Sequence, residues 1–455
     1  MQTSAIILAA GAGKRMKSNT NKVLHNLCGR PLVEHVIRAC QAIGISSFYV
    51  VIGRDAALVQ ERLGEEYTYV LQAEQLGTGH AALQVEPSYR GEEHVFVLCG
   101  DAPLITGATL DKMRQIHLAE AADATVLTAI FPEPGDYGRV LRDDAGQVCG
   151  VVEAKDATPE QRAIKEINTG FYCFRGDKLF AALRQLTNDN AQGEYYLTDV
   201  IQVIHQSGGR VASCLLEDND ESLGINDRIR LAQAEGILRR RIRNRLMLEG
   251  VTFLQPETCL VDDTVTIGQD TIIYPGVMLE GNTSIGKNCI IGPYTRLENC
   301  QVGDDVTIEF SVAREAMIGD SCIIGPYAYL RPQAELAAGV KVGDFVELKN
   351  SQIGEGSKIP HLSYVGDATV GARVNIGAGT ILVNYDGRQK HRSIIEDDAF
   401  IGCNSNLVSP VRIEKGAYVA AGSTITQDVP ADALAIARSR QENKPDWVKK
   451  RRQLE

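Results

Sequence analysis

The chain has 455 residues, 44% of them hydrophobic, and a net charge of −11; this length suggests two or three domains, and the acidity argues against nucleic acid as a partner and requires a local basic pocket for any anionic substrate. No apolar run approaches the ~18 residues of a membrane span, and the eleven cysteines are scattered with no CxxC pair or Cys/His cluster, which suits reduced thiols and argues against zinc. Met1-Gln2-Thr3-Ser4 has no basic segment or cleavage site, so no signal peptide is expected and the expected location is the cytoplasm.

Residues 1–226 alternate strand-like and helix-like stretches. Ser4–Leu8, Phe48–Ile52, Val95–Cys99 and Ala124–Ala129 are short apolar runs suited to buried parallel strands. Pro31–Ile43 has apolar residues at helical spacing, with Gly44 as a stop. The alternation predicts a doubly wound, Rossmann-like α/β domain whose ligands lie at the carboxyl ends of the strands. The first such end is Leu8-Ala9-Ala10-Gly11-Ala12-Gly13-Lys14-Arg15-Met16, followed by Lys22. Small residues after a strand let backbone N–H groups approach phosphate oxygens, and Arg15 and Lys22 would neutralise a triphosphate. The stretch is neither a P-loop nor the dinucleotide glycine pattern. Asp101 follows another apolar strand, where a carboxylate could hold Mg²⁺.

Asp227 to Gly250 is predicted as one linking helix, N-capped by Asp227 and ended by Gly250. Its expected apolar stripe is Ile229, Leu231, Leu238, Ile242 and Leu246. The arginines at 239, 240, 241, 243 and 245 are expected to form a solvated face.

From about Val251 to Val429 aliphatic residues recur every six positions. One strict run is Ile267, Ile273, Leu279, Ile285, Ile291 and Leu297; others start at Ile318 and Ile395. No α-helix has this period, and the pattern fits a parallel β-helix in which three sixes make one triangular coil. Roughly ten coils at about 4.8 Å would give a prism about 48 Å long. The rhythm slips by one before Val302, Ile353 and Val370, and breaks over Asn384–Ser393, a polar, basic stretch expected to be an excluded loop. Arg331, Lys349, His361, Tyr364 and Asn375 interrupt the aliphatic ladder. Residues about 18 apart stack on successive coils, so Arg331 and Lys349 should meet one phosphate together, with His361 in reach from a neighbouring face.

These motifs carry a resemblance. Leu8–Met16 with Lys22 looks like the signature of sugar-phosphate nucleotidyltransferases. Gln72 with Gln75-Leu76-Gly77-Thr78-Gly79 resembles their uracil-recognition segment, and Leu98-Cys99-Gly100-Asp101 their metal aspartate. Tyr137-Gly138-Arg139, Glu153, Glu166–Gly170 with Asn168, and Gln192–Tyr196 resemble their sugar-binding pieces. Joined to the hexapeptide repeats, the whole chain resembles the family of bifunctional uridylyltransferase/acetyltransferases that make UDP-N-acetylglucosamine for cell-wall precursors. The resemblance implies a left-handed β-helix over 251–455 and a homotrimer with active sites at its seams. It implies nucleotide and sugar binding by Leu8, Ala9, Ala10, Gly11, Lys22, Gln72, Gly77, Thr78, Gly138, Glu153, Asn168 and Asn226. Catalytic roles fall to Arg15 and Lys22, and Mg²⁺ is held by Asp101 and Asn226.

For the second half it implies acetyl transfer from acetyl-CoA to glucosamine-1-phosphate, before UMP transfer from UTP to N-acetylglucosamine-1-phosphate. Arg331, Lys349, Tyr364, Asn375 and Lys390 take the sugar phosphate, and Ala378, Asn384, Tyr385, Cys403, Ala421 and Arg438 surround acetyl-CoA. His361 is the general base, which suits its chemistry: an imidazole with an unperturbed pKa of about 6.5 can take the proton the attacking amine releases. Asn21, Cys99 and Cys403 stand where the family usually has a proline, an aromatic residue and a serine. These departures bear on loop rigidity and CoA affinity, not on the reactions. Two rival readings are a single-function nucleotidyltransferase whose prism only oligomerises and a non-enzymatic hexapeptide scaffold; the first should lack the Arg331/Lys349/His361 set, and the second Asp101 and the glycine loop. The tail from Pro445, with Trp447 and Lys449–Arg452, is left between covering CoA phosphates, packing on a neighbouring subunit and disorder.

Overall fold

The computed structural model describes residues 2–11, 13–53 and 55–452, so Ala12 of the glycine-rich loop and residues 453–455 of the tail lie outside the described residues. Two compact units, Met1–Leu238 and Arg239–Glu455, divide within the helix Arg228–Leu248.

The first unit is built on a twisted sheet. Its central path runs Val211–Leu215, Ala124–Ile130, Glu166–Arg175, His94–Cys99, Thr3–Leu8, Ser47–Ile52, Thr68–Leu71. All neighbours on this path are parallel except around Glu166–Arg175, which runs antiparallel to both of its neighbours. The strands are apolar on both sides because helices cover both faces: Ala5, Ile7, Phe96 and Leu98 enter one core, and Ile6, Tyr49, Val95 and Val97 the other. Thr3–Leu8 lies between Ser47–Ile52 and His94–Cys99. The chain therefore leaves the first strand on one side and returns on the other, and ligand crevices open at the carboxyl ends of such strands.

The second unit is a parallel β-helix. Its short strands stack into three sheets of eleven, ten and nine strands, in agreement with roughly ten coils at this spacing. Each aliphatic residue of the period-six runs is buried; Ile267, Leu297, Ile318, Leu348, Ile395 and Ile425 are all under a tenth exposed. Coils repeat at 18 residues where Ile267 faces Ile285, at 17 where Ile285 faces Val302, and at 16 where Leu297 faces Ala313. The excluded loop stretches one step to 25, from Val370 to Ile395. No helix among the described residues is long and apolar enough to cross a membrane.

The helix Arg228–Leu248 starts as expected, with Arg230 N donating to Asp227 Oδ1 at 2.9 Å. Two expectations about it are corrected. Ile229 is 72% exposed rather than part of the buried stripe: at 100° per residue it lies half a turn out of phase with Leu238, nine positions on. The arginine face is not simply solvated. Arg243 donates to Cys259 O at 3.1 Å and Arg239 to Val261 O at 3.5 Å. The equivalent carbonyls one coil later, Val277 and Leu279, accept from Leu260 N and Asp262 N. The first coil has no coil before it to donate, so the arginines cap its open end.

Candidate active sites

A cleft of about 270 Å³ opens at the carboxyl ends of the first unit's central strands. Of the predicted residues, Leu8, Ala10, Gly11 and Lys22 line one side, Gln72, Gly77 and Thr78 another, and Asp101 its end. Ala9 is buried behind them, its N–H donating to Val51 O at 2.9 Å. Gln75 Nε2 donates to Ala10 O at 2.6 Å and Gln72 Nε2 to Gly77 O at 3.1 Å, which ties the glycine-rich loop to the glutamine segment.

Lys22 Nζ pairs with the Asp101 carboxylate and donates to Asn226 Oδ1 at 2.6 Å. Asp101 O also accepts from Ile225 N at 2.8 Å, which brings Asn226 alongside. Two hard oxygen donors thus converge on one point that already carries positive charge, a donor set suited to Mg²⁺. Asn21, unexpected in this loop, caps the Lys22–Leu24 turn: Val23 N donates to Asn21 Oδ1 at 3.2 Å. A side-chain cap therefore stands where the family usually has a ring.

Beside the cleft lies the Gly138, Glu153 and Asn168 group. Asn168 N donates to Gly138 O at 2.9 Å, Asn168 Nδ2 to the Tyr172 hydroxyl at 2.7 Å, and Gly170 N to Asn168 Oδ1 at 3.2 Å. Burial pushes the Glu153 carboxyl up, opposed by its bond from Thr198 at 3.2 Å. Cys99 lies between this group and Asp101; burial first, then Asp101, pushes its thiol up to about 12, so it is neutral. Arg15 is not brought in. It stands exposed on the turn Lys14–Met16, which is anchored by buried Met16 instead.

On the prism the predicted residues spread over two corners: His361 ends a strand of the eleven-stranded sheet, whereas Arg331 and Lys349 stand at the ends of strands of the ten-stranded sheet that follows it. Leu330 faces Leu348, so Arg331 stacks under Lys349 as the coil arithmetic required. Arg331 pairs with Glu347 at 2.7 Å. Tyr364 follows the corner at His361–Ser363, and its hydroxyl accepts from Asn384 Nδ2 at 3.3 Å. Lys390 closes the excluded loop through a bridge to Tyr385, and Lys349 beside it lowers the Lys390 pKa. Asn375 lies on the adjacent sheet, in register with Lys358 and Phe400. Leu362 N donates to Asp344 O, Asn404 N to Ala378 O and Gly422 N to Cys403 O. Asp344, His361, Ala378, Cys403 and Ala421 therefore form one column along this edge, with Arg438 beside Gly422 at its end. His391, the other histidine of the prism, is held inside the loop by Asp386 at 2.7 Å.

Residues 5–202 match the family of MobA-like NTP transferase domains, and residues 264–299 and 392–427 match bacterial transferase hexapeptide repeats. Over 448 residues, 98% of each chain, the protein is 52% identical to the bifunctional protein GlmU of Halalkalibacterium halodurans. It is 49% identical over 447 residues to that of Brevibacillus brevis and 52% over 446 to that of Heliobacterium modesticaldum, covering 98% of this chain and 97% of each relative. The chain belongs to the bifunctional GlmU family. It is a bifunctional transferase, with uridylyltransferase and acetyltransferase activities on one chain, and the single-function reading is not favoured.

Three residues that contact the predicted set in this GlmU-family chain escaped the sequence reading. Asp367 is buried and accepts from Asn350 and Asn384, each at 2.6 Å, with Lys349 Nζ at 3.8 Å. At Gly366 a Cβ would lie 2.4 Å from the Tyr364 hydroxyl and 2.7 Å from Asn384 Nδ2, so only hydrogen fits beneath both groups. Asp344 pairs with His361. The usable signal was coil spacing: Asp367 is 18 residues after Lys349, and Asp344 is 17 before His361.

Proposed function

We propose that the chain acetylates glucosamine-1-phosphate from acetyl-CoA on the prism and then transfers UMP from UTP to the product in the N-terminal cleft, giving UDP-N-acetylglucosamine and pyrophosphate. The reading assigns uridylyl transfer to residues 1–226 with the start of the following helix, and acetyl transfer to 251–455. The observation that carries it is the corner column, where His361 shares an edge with Ala378, Cys403 and Ala421 while Lys349, Lys390 and Tyr364 stand on the next face.

In acetyl transfer, Arg331, Lys349 and Lys390 hold the sugar phosphate and Tyr364 and Asn375 orient the ring. The amine attacks the thioester carbonyl, His361 takes the proton, and CoA leaves as the thiol. Acetyl-CoA lies along Ala378, Cys403 and Ala421, with Asn384, Tyr385 and Arg438 around it. In uridylyl transfer, the sugar-phosphate oxygen attacks the α-phosphorus of UTP in line. Lys22, freed from Asp101, neutralises the phosphates; Leu8 and Ala9 carry the turn at Ala10 and Gly11, which offers backbone N–H groups; Gln72, Gly77 and Thr78 hold the base; Gly138, Glu153 and Asn168 hold the sugar. Arg15, exposed on the turn Lys14–Met16, adds positive charge for the triphosphate. Mg²⁺, held by Asp101 and Asn226, supplies charge neutralisation on the triphosphate when bound. Because UTP and acetyl-CoA are cytoplasmic metabolites, this reading locates the enzyme in the cytoplasm.

The reading includes a homotrimer held by the prism. Tyr294, Phe310, Tyr327 and Phe345 form an exposed ladder along one edge, with ring centroids 6.1, 5.8 and 5.4 Å apart. Such a continuous apolar edge suits burial against a second copy. Light scattering of the full chain should give three subunits; a monomer active in acetyl transfer overturns the trimer. Incubation with acetyl-CoA, glucosamine-1-phosphate and UTP, with products identified by mass, tests the reactions. UDP-N-acetylglucosamine is expected, and absence of any N-acetylated sugar overturns the two-site reading.

A further inference from the structure

The strands Lys341–Asp344 and Lys358–His361 are the only four-residue strands of the prism among the described residues; the others have two or three. Their pairing continues past the sheet to place Asp344 opposite His361. There His361 Nδ1 meets the Asp344 carboxylate.

We propose that Asp344 is a positioning residue for acetyl transfer: it holds the His361 imidazole through Nδ1–H and leaves the Nε2 lone pair to receive the amine proton. This rests on His361 being the base. A carboxylate can only accept, so the shared hydrogen sits on Nδ1 and the free lone pair sits on Nε2. The backbone is built for the contact. A Cβ at Gly343 would lie 1.8 Å from Pro360 O, so a glycine is required where the two coils press together just before the pair. Leu362 N donates to Asp344 O at 2.9 Å, and Ser363 Oγ to His361 O at 2.8 Å, fixing the chain after each partner. Both side chains are substantially exposed, and exposed pairs add little to folding. The extension of two strands to form this pair therefore serves the site rather than the fold. The Asp344 carboxyl lies below its usual range because His361 donates to it, so it is ionised throughout the working range.

The test uses full-length protein and follows both reactions. Asp344→Asn should lower acetyl-transfer kcat by roughly 10–100-fold, a part of the roughly 10²–10⁴-fold that a positioned general base contributes. KM for both substrates should stay within about twofold, and uridylyl transfer should be unchanged. Asp344→Glu should recover part of the rate. His361→Ala combined with Asp344→Asn should be no slower than His361→Ala alone, because Asp344 acts only through the histidine. An Asp344→Asn kcat within about twofold of the parent, beside a crippled His361→Ala, overturns the inference and leaves the base in place. So does a further loss in the double variant, or a change confined to KM. Full activity in His361→Ala overturns both the base and the inference.

Discussion

Lys22 Nζ reaches Asn226 Oδ1 at 2.6 Å across 204 positions of sequence, and the same ammonium pairs with Asp101. The three groups form one charge-balanced cluster at the end of the cleft, and on the proposed reading Asp101 and Asn226 would hold a divalent cation there. Asp101→Ala should therefore cut uridylyl transfer by at least about a hundredfold, the usual cost of losing one electrostatic stabiliser, and leave acetyl transfer intact. Chelation of divalent cations should divide the two activities in the same way. Near-parental UDP-sugar formation at saturating Mg²⁺ would show that Asp101 is dispensable.

Gly366 gives a second, purely steric prediction. In Gly366→Ala the new methyl meets the Tyr364 hydroxyl and the Asn384 amide, both ends of side chains, so these groups move and the backbone does not. KM for glucosamine-1-phosphate should rise roughly tenfold, about 1.4 kcal/mol of lost binding, with little change in Tm. An unaltered KM in a folded variant would remove Tyr364 and Asn384 from the sugar site.

The pair Lys349 and Lys390 predicts a pH dependence. Lys349 lowers the Lys390 pKa, partly offset by Asp367. A lowered cationic pKa means that Lys390 loses its proton below the ordinary lysine value of about 10.4. Acetyl-transfer kcat/KM, which reports the free enzyme, should thus begin to fall on the alkaline side before that value. In Lys349→Met the plateau should be lower and the alkaline fall should move to higher pH, because the repelling charge is gone. An alkaline limb that stays put would separate the two lysines.

Residues 1–250 should fold and uridylylate N-acetylglucosamine-1-phosphate without acetyl transfer, whereas residues 1–226 should melt well below that fragment. The difference is the first half of the helix. Ala234 is buried with Met16, Leu27, Leu32, Leu104 and Ile225, and Leu231, Ile237 and Leu238 pack against them. Each fully buried Leu or Ile contributes roughly 1.5–3 kcal/mol, so losing several half-buried ones costs a few kcal/mol of a total near 5–15 kcal/mol. Thermal melts of the two fragments decide it, and equal Tm values would show that the helix adds nothing to the cleft that Met16 anchors.

The prism was legible from its period alone. An inward aliphatic residue every six positions is a property of each residue singly, and burial rewards it whatever stacks above; Ile267 through Ile425 needed no knowledge of partners. Coil arithmetic likewise placed Arg331 under Lys349, because that stretch keeps an unbroken 18-residue step. Motif order in the first half pointed to a strand-end cleft for the same local reason: small residues after an apolar strand. Ile229 is exposed for a reason the sequence already held, since helical phase alone puts it half a turn from Leu238. What the tertiary structure alone decided are the pairings. Arg243 on Cys259 O, Asn21 as a cap, Asp367 between Asn350 and Asn384, Asp344 on His361 and Lys22 on Asn226 each depend on where a second group arrives. That arrival is set by coil steps that vary between 16, 17, 18 and 25 residues and, in the first unit, by a fold that brings together residues 204 positions apart. A polar group is satisfied only within about 3 Å of its partner, so a register change of one residue, which leaves the aliphatic core intact, decides which pair forms.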